Sequence, residues 1–265
     1  MMEKMIFGRY IPGDSILHRM DPRSKLLFVF GFILIVFLAN NVVTYGMLVG
    51  FVIMVILLSK MNVRFLVNGL KPVIYLIIFT FILQLLFNKE SEVIFSIGKF
   101  HIYEEGLRMA IFISIRFFLL VFVTTLMTLT TTPITLTDGL ESLMKPLNRV
   151  KFPVHELALM MSISLRFIPT LMDETDKIMK AQMARGVEFS SGPIKDRIKS
   201  IVPLLIPLFV SSFKRAEELA TAMEARGYRG GEGRTKYRLL EWKGRDTAAA
   251  AVFVILSVLL IWLRS

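Results

Sequence analysis

One six-residue pattern occurs twice in this chain: Ala181-Gln182-Met183-Ala184-Arg185-Gly186 and Ala222-Met223-Glu224-Ala225-Arg226-Gly227, both A-x-x-A-R-G. Residues 173–184 and 211–225, which lead into the two copies, hold no Pro or Gly, so each is expected to be a helix running up to its Arg. Gly just past a helix adopts the left-handed conformation that closes it, and a cation in the last turn suits the negative end of the helix dipole. A single copy reads as good capping. Two copies, with small Ala neighbours that permit close approach, present two guanidinium forks of the kind that engage carboxylates or carbonyls on a partner.

Other chemistry is sparse. No G-x-x-x-x-G-K-[ST] occurs: Gly98-Lys99 has Val93 where the first Gly should stand and Phe100 where Ser or Thr should, so the chain is not expected to hydrolyse ATP itself. His18, His101 and His155 are far apart and lack the spacing of a helical metal site. There is no Cys, hence no thiolate ligand, cysteine nucleophile or disulfide. No catalytic residue, cofactor or metal ligand is expected. Two polar side chains interrupt apolar runs, Arg116 and Gln84. A charge at mid-helix costs about 2.5–3.5 kcal/mol on insertion scales, so Arg116 should face protein. Either it anchors a partner subunit or it snorkels or caps neighbouring helix carbonyls, and Gln84 has the same two readings.

The elements that carry these residues follow from composition. The chain has 265 residues, is 54% hydrophobic, has a mean hydropathy of +0.62 and contains 22 Phe, more than a soluble core of this length needs. Apolar runs cover residues 26–39, 42–58, 73–87, 107–129 and 248–263. A helix crossing the hydrocarbon core takes about 20 residues. The first run reaches that length only with Ser24, Lys25, Asn40 and Asn41 added, and the two Asn mark a tight turn. The fold class is all-α: a polytopic helical membrane protein of about five transmembrane helices plus cytoplasmic helices. The polar stretch before the first run is long and mixed, and no cleavage site follows, so that run is expected to stay in the mature protein.

A net charge of +11 in a soluble protein points to nucleic acid. Topology explains it here without any such partner. Lys4, Arg9, Arg19, Arg23 and Lys25 precede the first run, and Lys60, Arg64 and Lys71 follow the second, so both segments read as cytoplasmic. Glu90, Glu92, Glu104 and Glu105 outnumber Lys89 and Lys99 in the next loop, which reads as external. Residues 132–245 carry 19 Lys or Arg and read as cytoplasmic; Trp242 and Trp262 mark the interfaces of the last span. The expected organisation is a membrane domain of four spans (1–131), a cytoplasmic segment (132–245) and a final span (246–265), in the cell membrane.

Apolar stretches 157–172 and 201–213 lie inside the basic segment, interrupted by Arg166 and Pro169 in one and by Pro203 and Pro207 in the other. Crossing would export Lys177, Lys180, Arg185, Lys195, Arg197 and Lys199, so both are expected to be amphipathic helices at or below the membrane surface. Arg166 is expected to be an intramolecular strut. Met144, Met160, Met161, Met172, Met179, Met183 and Met223 form either helix core or an adaptable docking surface. Residues 229–245, with Gly230, Gly231 and Gly233 among Lys and Arg, read as a linker at anionic head groups.

Both Ala-Arg-Gly motifs, Ser164-Leu165-Arg166-Phe167-Ile168-Pro169, Arg215-Ala216-Glu217-Glu218-Leu219-Ala220 running into Met223 to Tyr228, and Asp21-Pro22-Arg23-Ser24-Lys25-Leu26 carry a family resemblance. The chain resembles the transmembrane T component of energy-coupling factor (ECF) transporters, the EcfT/CbiQ family. That resemblance implies a non-catalytic scaffold whose coupling helices dock on two ABC-type ATPase subunits, with Ala184, Arg185, Gly186, Ala225, Arg226 and Gly227 as the contacts. It implies a membrane part that holds a substrate-binding S subunit for vitamin or metal-ion uptake. The alternative reading of the residues is a self-contained channel or carrier.

Overall fold

Asp21 and Pro22 start the first helix by two complementary rules. An Asp side chain accepts from the open N–H groups of a first turn, and Pro, which has no N–H to leave unpaired, fits the first helical position. The Asp21 carboxylate accepts from the backbone N–H of Arg23 at 2.8 Å, and α1 runs Pro22–Val36. The computed structural model describes residues 10–61, 63–87, 93–97, 100–187, 189, 193–230 and 239–264; of residues 63–72, 93–97, 100–102 and 194–198 the backbone alone is described. After α1 come α2 (Val42–Ser59), α3 (Val63–Phe87), the hairpin strands β1 (Val93–Ile97) and β2 (Phe100–Tyr103), α4 (Glu104–Thr130), α5 (Pro133–Met144), a 3-10 turn (Lys145–Val150), α6 (Val154–Ala184), α7 (Ile194–Ala225) and α8 (Gly244–Trp262). The small antiparallel hairpin, with Ile97 opposite Phe100, is the one feature outside the all-α expectation among the described residues. Lys4, Arg9, Lys89, Glu90, Glu92, Gly98, Lys99, Gly231 and Gly233 lie outside the described residues, as do the side chains of Arg64, Lys71, His101, Lys195 and Arg197.

Packing divides the chain into two compact units: one holds the chain up to Leu143 and again from Leu239, the other runs Met144–Arg238. In the first unit α1 and α2 pack on α4, α8 packs on α1, and α3 pairs along α4. Phe32, Val36, Leu48, Leu119, Leu126 and Leu260 are at most 2% exposed at its centre. Gly31 lets α8 come close, since a Cβ there would stand 2.8 Å from ring atoms of Phe253. The outer faces are apolar as well, with Leu34 and Leu57 more than 70% exposed, a pattern that requires lipid rather than water outside.

Helix ends in lipid must have their polar groups satisfied by protein. At 15 residues α1 is about 22 Å long, short of a core of about 30 Å. It starts before the apolar run and stops before the run ends. The turn that follows is held by side chains: Arg116 on α4 donates to the Ala39 carbonyl at 3.3 Å, Asn40 to the Arg264 carbonyl at 3.0 Å and Asn41 to the Leu263 carbonyl at 2.8 Å. The expected Asn turn thus also closes the end of α8. Asn41 caps α2 in addition, by a reciprocal pair of bonds with Thr44.

At the opposite ends of these helices, consecutive residues of one motif each tie down a different element. Lys25 donates from Nζ to the Thr130 carbonyl and the Thr131 hydroxyl, both at 3.0 Å, placing a cation at the negative end of α4. Ser24 donates to Asp246 at 2.8 Å, and Asp246 also accepts from the backbone N–H groups of Asp21 at 2.9 Å and Lys243 at 3.0 Å. Arg23 grips Asp21 through Nε and Nη2 and reaches the Leu240 carbonyl at 3.1 Å.

In the second unit α6 and α7 are each unbroken, over 31 and 32 residues. The sequence reading separated apolar stretches from Arg-ended helices and expected the prolines to interrupt them; each pair is one continuous helix instead. Proline at 207 removes the donor for the carbonyl four residues back, and the amide of Gln182 donates to that Pro203 carbonyl at 3.3 Å. Neighbour helix chemistry therefore replaces the missing bond. By length and mean hydropathy α2, α4, α6 and α8 all suffice to cross a membrane, α6 at the lowest value of 1.2.

Asp246 is fully buried and holds three donors. Replacing it by Ala strands donors that each cost about 1–3 kcal/mol when buried without a partner. Asp246→Ala should lower the thermal midpoint of the detergent-purified protein, followed by size-exclusion recovery after heating, while Leu34→Ala on the outer face should leave it nearly unchanged.

Candidate functional site

The two A-x-x-A-R-G copies close α6 and α7 in the same way. At the end of α6, the Gly186 N–H donates to the Met183 carbonyl at 3.0 Å and the Val187 N–H to the Gln182 carbonyl at 3.0 Å. At the end of α7, the Gly227 N–H donates to Glu224 at 2.8 Å and the Tyr228 N–H to Met223 at 3.0 Å. Each is a Schellman closure, which requires a left-handed residue after the cap. Gly186 and Gly227 supply it, with φ of +88° and +71°. Among the described residues no atom stands near the site of a Cβ at either, so conformation rather than crowding explains the glycine.

Arg185 and Arg226 occupy the cap positions with nearly identical backbone angles, φ −89° and −86°. Both are exposed, as are Ala184, Gly186, Ala225 and Gly227, and neither Arg has an ion pair or side-chain hydrogen bond among the described residues. The sequence motif therefore produces two matched, open guanidinium ends backed by small residues.

What separates the two ends is the way α6 meets α7. Glu174 accepts a hydrogen bond from Ser211 and pairs with Arg215 at 2.9 Å, while Gln182 reaches Pro203. Rising numbers on α6 meet falling numbers on α7, so the helices run antiparallel where they touch. By that register Arg185 stands level with about Ile201, and the 25 residues from there to Arg226, at about 1.5 Å each, put the two Arg ends at most about 40 Å apart. The tips are two stations rather than one cluster.

Other expectations meet different outcomes. Arg166 is exposed and has no ion pair or hydrogen bond among the described residues, so it is not the strut; Arg215 with Glu174 is. Of the seven methionines, Met160, Met161, Met172 and Met183 are exposed and none is buried, which removes the helix-core reading for this set. On α7, Ile206, Phe209, Val210 and Phe213 are each at least 60% exposed and recur at helical spacing, a continuous apolar face. In the first unit Arg116 has partners within the chain: the Ala39 carbonyl and the rings of Phe37 and Tyr45, at 5.1 and 6.0 Å from its Cζ. Gln84 is half-buried on α3 and forms no hydrogen bond among the described residues.

Sequence reasoning missed the clasp of Glu174 with Ser211 and Arg215, and the anchoring roles of Lys25 and Asp246. The motif from Asp21 to Leu26 was visible, but the residues it grips lie more than 100 positions away.

An apolar multi-helix unit whose outer faces are apolar as well, with several helices long and apolar enough to cross a membrane, defines a multi-pass helical membrane protein. A model of the family CbiQ, described as cobalt transport protein, matches residues 13–237. Over the full length of both chains the sequence is 62% identical to the energy-coupling factor transporter transmembrane protein EcfT of Bacillus subtilis (strain 168) and 58% identical to that of Listeria innocua serovar 6a. It is 59% identical to the EcfT of Exiguobacterium sibiricum across 98% of this chain and 99% of the relative. The chain belongs to this CbiQ/EcfT family of transporter transmembrane proteins. It is a transport component of the membrane and not an enzyme.

Ala at position 227 would hold a left-handed conformation costing about 1–2 kcal/mol. Gly227→Ala should speed amide exchange across residues 222–228, read by hydrogen–deuterium exchange, whereas Arg226→Ala should leave that exchange unchanged because its side chain bonds to nothing among the described residues.

Proposed function

We propose that this chain is the non-catalytic scaffold of an ECF-type uptake transporter, with Arg185 and Arg226 each docking on one of two ABC-type ATPase subunits and with a substrate-binding S subunit held by the chain. The observation that carries the reading is the duplication: two exposed Arg ends, built by the same closure, on opposite ends of one antiparallel pair. Two like partners are met by two like contacts. Ala184 and Ala225 keep the approach open, and each guanidinium supplies a planar fork for carboxylate or carbonyl groups. ATP hydrolysis belongs to the partners in this reading, and the substrate, a vitamin or a metal ion, is chosen by the S subunit.

The proposed topology keeps the N-terminus and residues 132–245 on the cytoplasmic side. Charge supports it: basic residues flank the start of α1, the end of α2 and the whole second unit. On this topology α6 stays on the inner side, since crossing would export the cations around Arg185 and carry Asp173, Glu174 and Asp176 toward the membrane. The apolar face of α7 then meets the S subunit or the membrane surface. Movement of the ATPases is passed on because the Glu174 clasp and the Gln182 bond make α6 and α7 move as one.

Arg185→Glu combined with Arg226→Glu should abolish co-purification of the ATPases and substrate uptake while the chain still inserts and elutes as folded protein. Undiminished assembly and uptake would sink the proposal. Glu174→Gln, which weakens the crossing by about 1 kcal/mol, should leave the ATPases bound but lower the substrate imported per ATP hydrolysed in proteoliposomes.

A further inference from the structure

The first unit contains a cavity of about 350 Å³ between the beginnings of α1 and α8 and the ends of α2 and α4. That size lies at the low end of small-molecule sites, about 300–1,000 Å³. Its walls are apolar, formed by side chains such as Phe28, Phe51, Val55 and Leu126, and the small Ala248 and Ala249 of α8 leave the space open. From Arg245 to Val252 it follows α8 for about 10 Å. Two of its lining residues, Met54 and Val252, are 46% and 40% exposed, so it reaches the outer face where lipid lies.

The rim differs from the walls. Lys25 and Arg245 line it, beside Thr130. Lys25 spends two of its three donors on Thr130 and Thr131, Thr130 donates to the Leu126 carbonyl, and Asp246 is filled by its three donors. The Nε of Arg245 is buried with no hydrogen-bond partner among the described residues. Charges in this cluster also fail to cancel among the described residues: Arg23, Lys25 and Arg245 stand by Asp21 and Asp246, three cations against two carboxylates, while the neighbouring Lys243 pairs with Glu241. A buried donor without an acceptor and an excess positive charge both call for an anion.

We propose that this cavity takes one acyl chain of an anionic phospholipid, with the phosphate bound at the rim by Arg245. A soluble anion would leave the apolar walls unfilled, and a neutral apolar molecule would leave Arg245 unpaired. A zwitterionic lipid brings its own cation to its phosphate, so it satisfies the excess charge less well. The lipid is supplied from the side, through the gap marked by Met54 and Val252, and its tail completes the packing of α8 against α2.

The test uses the full-length chain in detergent, offered equimolar dioleoyl phosphatidylglycerol and dioleoyl phosphatidylcholine and read by native mass spectrometry. One phosphatidylglycerol per chain should survive, preferred by about tenfold. Arg245→Gln should erase the preference and Arg245→Lys should restore part of it. Ala249→Leu, which fills the cavity, should lower retention of both lipids, and Met54→Phe should do the same from the α2 wall if the first variant does not elute as folded protein. A phosphatidylglycerol with a photoreactive acyl chain should label residues 248–252 of α8 in the unaltered chain. Equal retention of the two lipids by the unaltered chain, a preference unchanged in Arg245→Gln, or labelling confined to other helices would overturn the proposal.

Discussion

A backbone carbonyl or N–H left open at a helix end finds no water inside a bilayer, and this constraint organises the membrane unit. Several of these ends are met by a side chain from another element. Lys25 of α1 closes α4, Asn40 and Asn41 close α8, Arg116 of α4 serves the turn after α1, and Asp246 of α8 serves the start of α1. Polar bonds thus tie the start of α1, and the turn after it, to α4 and α8, while the middles of the helices are joined by packing of Phe32, Leu48, Leu126 and Leu260. A charged residue such as Lys25, costly in an apolar setting, is tolerated because its ammonium sits where the α4 carbonyls concentrate negative potential.

The second unit uses the same economy of backbone groups for another end. Prolines in α7 remove intrahelical bonds, and α6 supplies a replacement through Gln182, so the weak points of one helix become contacts between two. The half-buried clasp of Glu174 with Ser211 and Arg215 adds a polar register to a crossing that would otherwise be set by apolar faces free to slide. Arg185 and Arg226, by contrast, hold no other side chain or backbone group among the described residues. Side chains that are exposed, identically presented and structurally idle are suited to meeting partners, because engaging them costs no internal bond.

Much of this architecture was legible in the chain itself. The apolar runs, the Asn turn and the caps at Gly186 and Gly227 depend on local rules, and local rules can be read from neighbours in sequence. The failures have equally physical causes. Pro169, Pro203 and Pro207 looked like breaks because the bond they delete is local, whereas the compensation at Pro203 comes from a different helix. Arg166 and Arg215 are alike by type, and which one serves as the strut depends on where α6 crosses α7. The methionines fit either helix core or an open docking surface by type alone, and only the crossing decides: the pair touches over a short stretch and leaves the rest of each face open.

The sequence alone determined that the chain is a helical membrane protein and that two helices end in a shared Arg-Gly closure, since composition, periodicity and glycine conformation act within a few residues. Only the tertiary structure decided what Lys25, Asp246 and Arg116 hold, how far apart the two Arg ends stand, and that Arg245 lines an apolar cavity beside an uncancelled charge. Those facts depend on helices brought together from distant parts of the chain, and no local rule sets the depth or register at which they meet.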